Sequence, residues 1–116
     1  MTNTFKNKYS FEKRSQESKT IKEKYIDRIP VIVQKHHDCD LPDVDKCKYL
    51  VPKDMTMGQF LFVIRKRIKI EASKALFIMV DNNMVTGSSN LSIIYDDHRD
   101  EDGFLYITYT TENTFG

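Results

Sequence analysis

Tryptophan is absent from this sequence, cysteine occurs only twice, and no apolar run approaches the ~18 residues that a membrane span requires. Each shortage excludes something. Cys39 and Cys47 cannot make a disulfide framework, which fits a reducing compartment. The four glycines, at 58, 87, 103 and 116, are too scattered to cradle a phosphate, and neither a G-x-S-x-G elbow nor an H-E-x-x-H helix occurs. The N-terminal stretch MTNTFKNKYSFEKR lacks the apolar core of a secretory signal, so a cytosolic location is expected. With no catalytic motif in sight, a binding or structural role is expected before an enzymatic one.

What is present is ordinary for one folded domain: 116 residues, 40% hydrophobic and 30% charged. The net charge of +1 conceals an asymmetry. Residues 1–75 hold 17 Lys and Arg against 10 Asp and Glu, whereas residues 76–116 hold Arg99 alone against seven acids. A basic N-terminal portion suits an acidic partner, or a surface whose two halves attract one another.

Periodicity predicts the elements. A short helical turn is expected around Phe5–Tyr9, then a helix over Phe11–Tyr25 capped by Ser10, its thin apolar face made of Phe11, Ile21 and Tyr25. RIPVIVQK reads as a strand apolar on both faces, with the side of Pro30 unable to donate to a ladder. KYLVP is a second strand. DMTMGQFLFVIRKRIKI is the clearest helix, with a Thr56/Gln59 capping box, an apolar stripe of Met57, Phe60, Leu61, Ile64 and Ile68, and a basic C-terminal end. ALFIMVD is a third strand, DNNMVTGSS a turn-rich connection, NLSIIY a short helix and FLYITYT the last strand. This order matches an α+β, ubiquitin-like β-grasp: a four-stranded mixed sheet with one crossing helix, plus two N-terminal helices.

Three weaker patterns were weighed. His36-His37-Asp38-Cys39-Asp40 with Cys47 lacks the paired spacings of structural zinc, and reads as a polar loop. In DDHRDEDG, setting Gly103 at the sixth position of a calcium loop puts His98 first and Tyr109 twelfth, where carboxylates are needed. A charged, solvated turn is the plainer expectation there. RKRIK could meet phosphates, but the near-neutral chain does not read as a nucleic-acid module. No metal or cofactor is expected.

FEKR (11–14), KYIDRIPVIVQK (24–35), DKCKYLVP (45–52), MTMGQFLFVIRKRI (55–68), ALF (75–77) and FLYITYTTENTFG (104–116) resemble the GABARAP family of autophagy-related ubiquitin-like modifiers. The resemblance spans essentially the whole chain. It implies a helical extension over 1–27, a β-grasp core over 28–110 and a tail over 111–116. It also implies conjugation of Gly116 to phosphatidylethanolamine by activating and conjugating enzymes, with a cysteine protease trimming and recycling the product. The chain would be the substrate of that chemistry, with no catalytic residue of its own, cytoplasmic and, when lipidated, on the autophagosome membrane.

The resemblance further implies docking of short aromatic-x-x-aliphatic motifs of cargo receptors. The aromatic pocket would be Glu17, Ile21, Pro30, Ile32, Lys48, Leu50 and Phe104, and the aliphatic pocket Tyr49, Val51, Pro52, Met55, Phe60 and Val63. Arg28, Lys46, Lys48 and Arg67 would meet acidic flanks, and Phe77 with Met79 would form a secondary face. Burial in the core is the simpler role for Ile32, Phe60 and Val63. Departures from the family pattern are Ile26 for a common proline, Met79 for an aromatic, Asn83–Ser88 without prolines, and an individual His36–Asp40 loop. Two other readings stay open: an adaptor in membrane trafficking that binds peptides without being conjugated, and an enzyme using a metal or the nucleophile Cys39 or Cys47. The expected solution state is monomeric.

Overall fold

A computed structural model of the chain describes residues 4–36, 41, 44, 46–71 and 73–111. The elements run α1 (Phe5–Lys8), α2 (Phe11–Lys24), β1 (Arg28–Lys35), β2 (Lys48–Pro52), α3 (Met57–Ile68), β3 (Phe77–Val80), β4 (Asn83–Met84), α4 (Leu91–His98) and β5 (Leu105–Thr110). They form a mixed sheet ordered β2-β1-β5-β3-β4, with β1 and β5 parallel and every other pair antiparallel. This is the expected β-grasp, with one correction. The sheet has five strands, because Asp81 and Asn82 turn through positive φ (52° and 63°) and fold Asn83–Met84 back on Met79–Val80. Asp and Asn tolerate that left-handed pair, the geometry of a two-residue hairpin turn.

Alternation along the strands sends side chains to two layers. Ile29, Val31 and Val33 of β1, Tyr49 and Val51 of β2, Ile78 and Val80 of β3, and Leu105, Ile107 and Tyr109 of β5 form one buried cluster with Met57, Phe60, Ile64 and Ile68 of α3. Each such fully buried aliphatic side chain stabilises the fold by about 1.5–3 kcal/mol. The expected capping box of α3 is present, with Gln59 N–H bonded to Thr56 Oγ1 and Thr56 N–H to Gln59 Oε1. Two further amides of the first turn of α3 donate to the loop before α4: Met57 N to Ser89 O and Gly58 N to Gly87 O, each 2.8 Å. A Cβ on Gly58 would lie 3.0 Å from the Gly87 oxygen, so glycine suits this approach.

Pro30 sits where its missing N–H does least harm. Val33 N–H donates to Cys47 O on the β2 side, so Pro30, three residues away, directs its nitrogen toward β5, one residue before that ladder begins at Val31.

The opposite face of the sheet departs further from expectation. Phe11 of α2 and Tyr25, its C-cap, are exposed (49% and 39%), and the buried residues of that helix are Arg14 and Ser18. Arg14 NH1 lies 2.6 Å from Asp102 Oδ2, with side-chain exposures of 10% and 0%. Asp102 Oδ2 also accepts from the Tyr106 hydroxyl at 2.5 Å, and Oδ1 from Phe104 N–H at 2.9 Å. Ser18 Oγ donates to the Asp102 carbonyl, and Arg14 Nε donates to Tyr9 O. Gly103, at φ 92°, has no Cβ to strike Ser18 Oγ. The acidic stretch is therefore not simply a solvated turn: its Asp102 is the buried anchor for α2. Burial, and next the bond to Asp102, raise the Tyr106 phenol well above its ordinary pKa.

Removing one partner of a buried ion pair strands the other charge in a poor solvent. Arg14→Ala is expected to cost about 3–5 kcal/mol, read as a lowered urea midpoint. A loss below about 1 kcal/mol, the scale of an exposed pair, would contradict this account.

Candidate functional site

β2 is the outermost strand, and its residues alternate between two environments. The odd-numbered pairs Val33–Cys47, Val31–Tyr49 and Ile29–Val51 face one another across the ladder, so the backbone groups of Lys48 and Leu50 are directed outward. Leu50 O already accepts from Arg28 NH1 at 3.2 Å. An open strand edge of this kind is a template for a further strand.

On the helical side, register sets Pro30 opposite Leu50 and Ile32 opposite Lys48. Above them α2 contributes Ile21 and Glu17, and Glu17 forms an ion pair with Lys48. Ile32 and Phe104 are fully buried with Phe5, whose ring meets that of Phe104 edge-on at 5.3 Å between centroids. Phe5 N–H also donates to Gln34 Oε1, which ties α1 down beside β1. Of the seven residues expected for an aromatic pocket, Pro30, Ile32 and Phe104 are buried and Leu50, Lys48, Glu17 and Ile21 are partly exposed.

On the other side of β2, Tyr49 and Val51 are buried against α3, and the rings of Tyr49 and Phe60 meet edge-on at 5.5 Å. Met55 and Val63 are partly buried against the same cluster, and Met55 N–H bonds to Pro52 O. Lys46 is exposed, its ammonium 5.4 Å above the Tyr49 ring. Arg28 and Arg67 are exposed as well. Phe77 is half-buried at the start of β3, whereas Met79 is buried.

Sequence reasoning missed Arg14, Ser18, Asp102, Gly103 and Tyr106, the group that holds α2 over this site. Arg14 and Ser18 are four apart on one helix face, which could be read, but their partner lies 88 residues away from Arg14. Beside this group Lys6 pairs with Asp100 at 2.6 Å. Partial burial works against ionisation of Asp100, yet hydrogen bonds from Lys6 and from Asp102 N–H hold its carboxyl below the usual range.

Among the described residues no group of three or more His, Cys, Asp or Glu side chains converges as a metal site would require. Cys47 is an exposed free thiol, while His37–Asp40 of the polar loop lie outside the described residues, as does Gly116. Among the described residues no helix is long and apolar enough to cross a membrane.

With the geometry in view, comparison with known proteins decides the family. A family model described as "Autophagy protein Atg8 ubiquitin like" matches residues 13–116. The chain belongs to the Atg8 ubiquitin-like family. It is 55% identical over 116 residues to Autophagy-related protein 8 of Mycosarcoma maydis, covering all of this chain and 98% of that one. It is 58% identical over 112 residues to Autophagy-related protein 8e of Arabidopsis thaliana, covering 97% and 92%. The crystal structure of Trypanosoma brucei ATG8 superposes with a TM-score of 0.92 at 40% identity, covering both chains fully. The function is accordingly that of an autophagy-related ubiquitin-like modifier, and the described β-grasp with its N-terminal helices is the Atg8 fold.

The Lys6–Asp100 pair of this Atg8-family chain makes a pH prediction. A carboxyl whose pKa is lowered by folding adds stability above its unfolded value, about 3.9, and loses that contribution as pH falls through the lowered folded value. Carbon NMR titration is expected to find Asp100 below the ordinary range, and Lys6→Ala is expected to move it up. A midpoint that Lys6→Ala leaves in place would show that the pair does not control it.

Proposed function

We propose that this chain is a modifier of the GABARAP type within its family, joined through Gly116 to phosphatidylethanolamine on autophagosomal membranes. There it docks short aromatic-x-x-aliphatic segments of cargo receptors and autophagy proteins. The observation that carries the docking is the open edge of β2, whose outward backbone groups lie between two differently lined faces. A peptide strand pairs with Lys48 and Leu50. Its aromatic side chain enters among Glu17, Ile21, Pro30, Ile32, Lys48, Leu50 and Phe104, and its aliphatic one among Tyr49, Val51, Pro52, Met55, Phe60 and Val63. Arg28, Lys46, Lys48 and Arg67 attract acidic residues beside the motif, and incoming acids compete with Glu17 for Lys48. So short a peptide covers less than the ~1,200 Å² of a stable interface, so affinity comes from many copies on one membrane.

Residues 1–27 act as an extension over the 28–110 core, and 111–116 as the tether. In conjugation an activating and then a conjugating enzyme carry Gly116 as a thioester. The lipid amine attacks the carbonyl, the enzyme thiolate leaves, and an amide remains. A cysteine protease trims and recycles the modifier, which is the substrate of these steps and not their catalyst. A glycine passes narrow active sites because it has no side chain. A two-chain lipid anchors far better than a single acyl chain, at about 0.8 kcal/mol per buried methylene. Before conjugation the chain is cytoplasmic.

In a reconstituted conjugation reaction Gly116→Ala is expected to abolish the phosphatidylethanolamine adduct, followed by intact mass; undiminished adduct would refute the assignment. A chain that never carries the adduct in its own cells, while still binding peptides, would be the unconjugated adaptor instead. For docking, Lys48→Ala with Leu50→Ala is expected to weaken binding of an aromatic-x-x-aliphatic peptide at least tenfold by calorimetry, with the thermal midpoint little changed. Unaltered affinity would move the site elsewhere.

A further inference from the structure

The outward side of α3 is the least explained surface of the molecule. Gln59, Phe62, Lys66 and Lys69 follow one another at helical spacing, and all four are exposed. Phe62 is 59% exposed, with the Lys66 ammonium 4.7 Å above its ring. A single exposed phenylalanine is unremarkable by itself. This one heads a cationic stripe on a helix without any acidic residue, closed by Lys69 in the left-handed C-cap position.

The direction of α3 gives the stripe its meaning. The helix begins after β2, at the end of the sheet where Lys53 N–H bonds to Asp27 O beside the start of β1. Twelve residues carry it about 18 Å toward the other end. Eight residues after Lys69, β3 starts with Phe77 opposite Thr110, the last residue of β5. His36 N–H meets Tyr109 O at the same end. The basic end of α3 therefore leads to the end of the sheet from which residues 111–116 continue. At the opposite end Asp81, Asp97, Asp100 and Glu101 are interleaved with Lys6, His98 and Arg99, so the charges there are mixed, and exposed Glu71 is the described acid that follows Lys69.

We propose that Phe62, Lys66 and Lys69 form a contact with anionic lipid headgroups, orienting the modifier on its membrane. The inference rests on the reading that Gly116 carries phosphatidylethanolamine. Charge selects the occupant: an aromatic ring beside long lysine side chains suits the headgroup layer, where the ring sits at the boundary and the ammonium groups reach phosphate. Each lysine near an anionic leaflet strengthens binding only about five-fold. The stripe therefore orients a chain that its lipid already anchors. The edge of β2 is left open to peptides.

The test exploits the absence of native tryptophan, so that Phe62→Trp is a single reporter in the full, unconjugated chain. Its fluorescence is read against phosphatidylcholine vesicles with and without phosphatidylserine, each carrying brominated acyl chains as quenchers. Quenching is expected with phosphatidylserine and at low salt only. Lys66→Gln and Lys69→Gln are each expected to weaken it about five-fold. Ile93→Trp, an equally exposed position on α4, is expected to stay unquenched. These are surface sites, so the fold is retained, and circular dichroism confirms that each variant is folded. Absence of quenching, equal quenching at position 93, or a response to polyglutamate but not to vesicles would overturn the proposal, the last in favour of an acidic protein. Because the unconjugated chain is used, failure of lipid attachment at Gly116 is scored separately, by mass, and cannot be mistaken for failure of the stripe.

Discussion

Arg14 reaches from the first turns of α2 to Asp102, just ahead of β5, and the outer half of the molecule depends on that contact. Few apolar residues of α2 are buried, so the hydrophobic effect alone holds it weakly to the sheet. The ion pair, the Tyr106 hydroxyl and the Ser18 bond to the Asp102 carbonyl supply the direction that an apolar stripe would otherwise supply. A polar anchor fixes orientation more sharply than a greasy one, since hydrogen bonds fail with a small rotation. With α2 held in place, Glu17 and Ile21 come to rest beside Lys48 and Ile32.

The same contact shapes the β2 edge. A strand buried on one face and partly covered on the other, with a ladder on one side only, keeps one free side for hydrogen bonding. α3 covers one face of the sheet and α1 with α2 cover the other, and β1 occupies the inner flank of β2. What remains accessible is a narrow band: outward backbone groups, with partly open side chains above and below. That geometry suits an extended peptide with alternating side chains far better than a compact ligand.

Most of the inner layer was legible in the sequence because it obeys local rules. The Thr56/Gln59 box, the α3 stripe and the two-sided strand around Val31 each follow from spacing within a few residues. Asn83–Met84 reads as part of a turn-rich connection because two residues are too few for strand alternation to show, although Asp81-Asn82 is a residue pair that supports a two-residue hairpin. The outer layer was not legible, since helix face and acidic loop have meaning only as partners. An exposed Phe11 and a buried Arg14 invert the usual ranking of burial, and periodicity reads hydrophobicity, not pairing. The residues proposed for the two pockets come from family resemblance alone. Nothing in their local pattern separates Ile32 or Phe60 from ordinary core.

The geometry also sets how many tasks the molecule can perform together. The β2 edge and the outer side of α3 are separate regions joined through one core cluster. Tyr49 and Phe60 are in that cluster, on the face of α3 opposite to Phe62. A peptide side chain entering beside Phe60 and a headgroup meeting Phe62 would therefore press on two sides of one helix, without sharing an atom. α3 is pinned at its N-terminus by Ser89 and Gly87 and closed at its C-terminus by Lys69, so pressure on one side of the helix is carried to the other. Phe60 and Phe62 lie two residues apart on that helix, too close for independent behaviour, so a peptide on one side and a headgroup on the other would be coupled through α3.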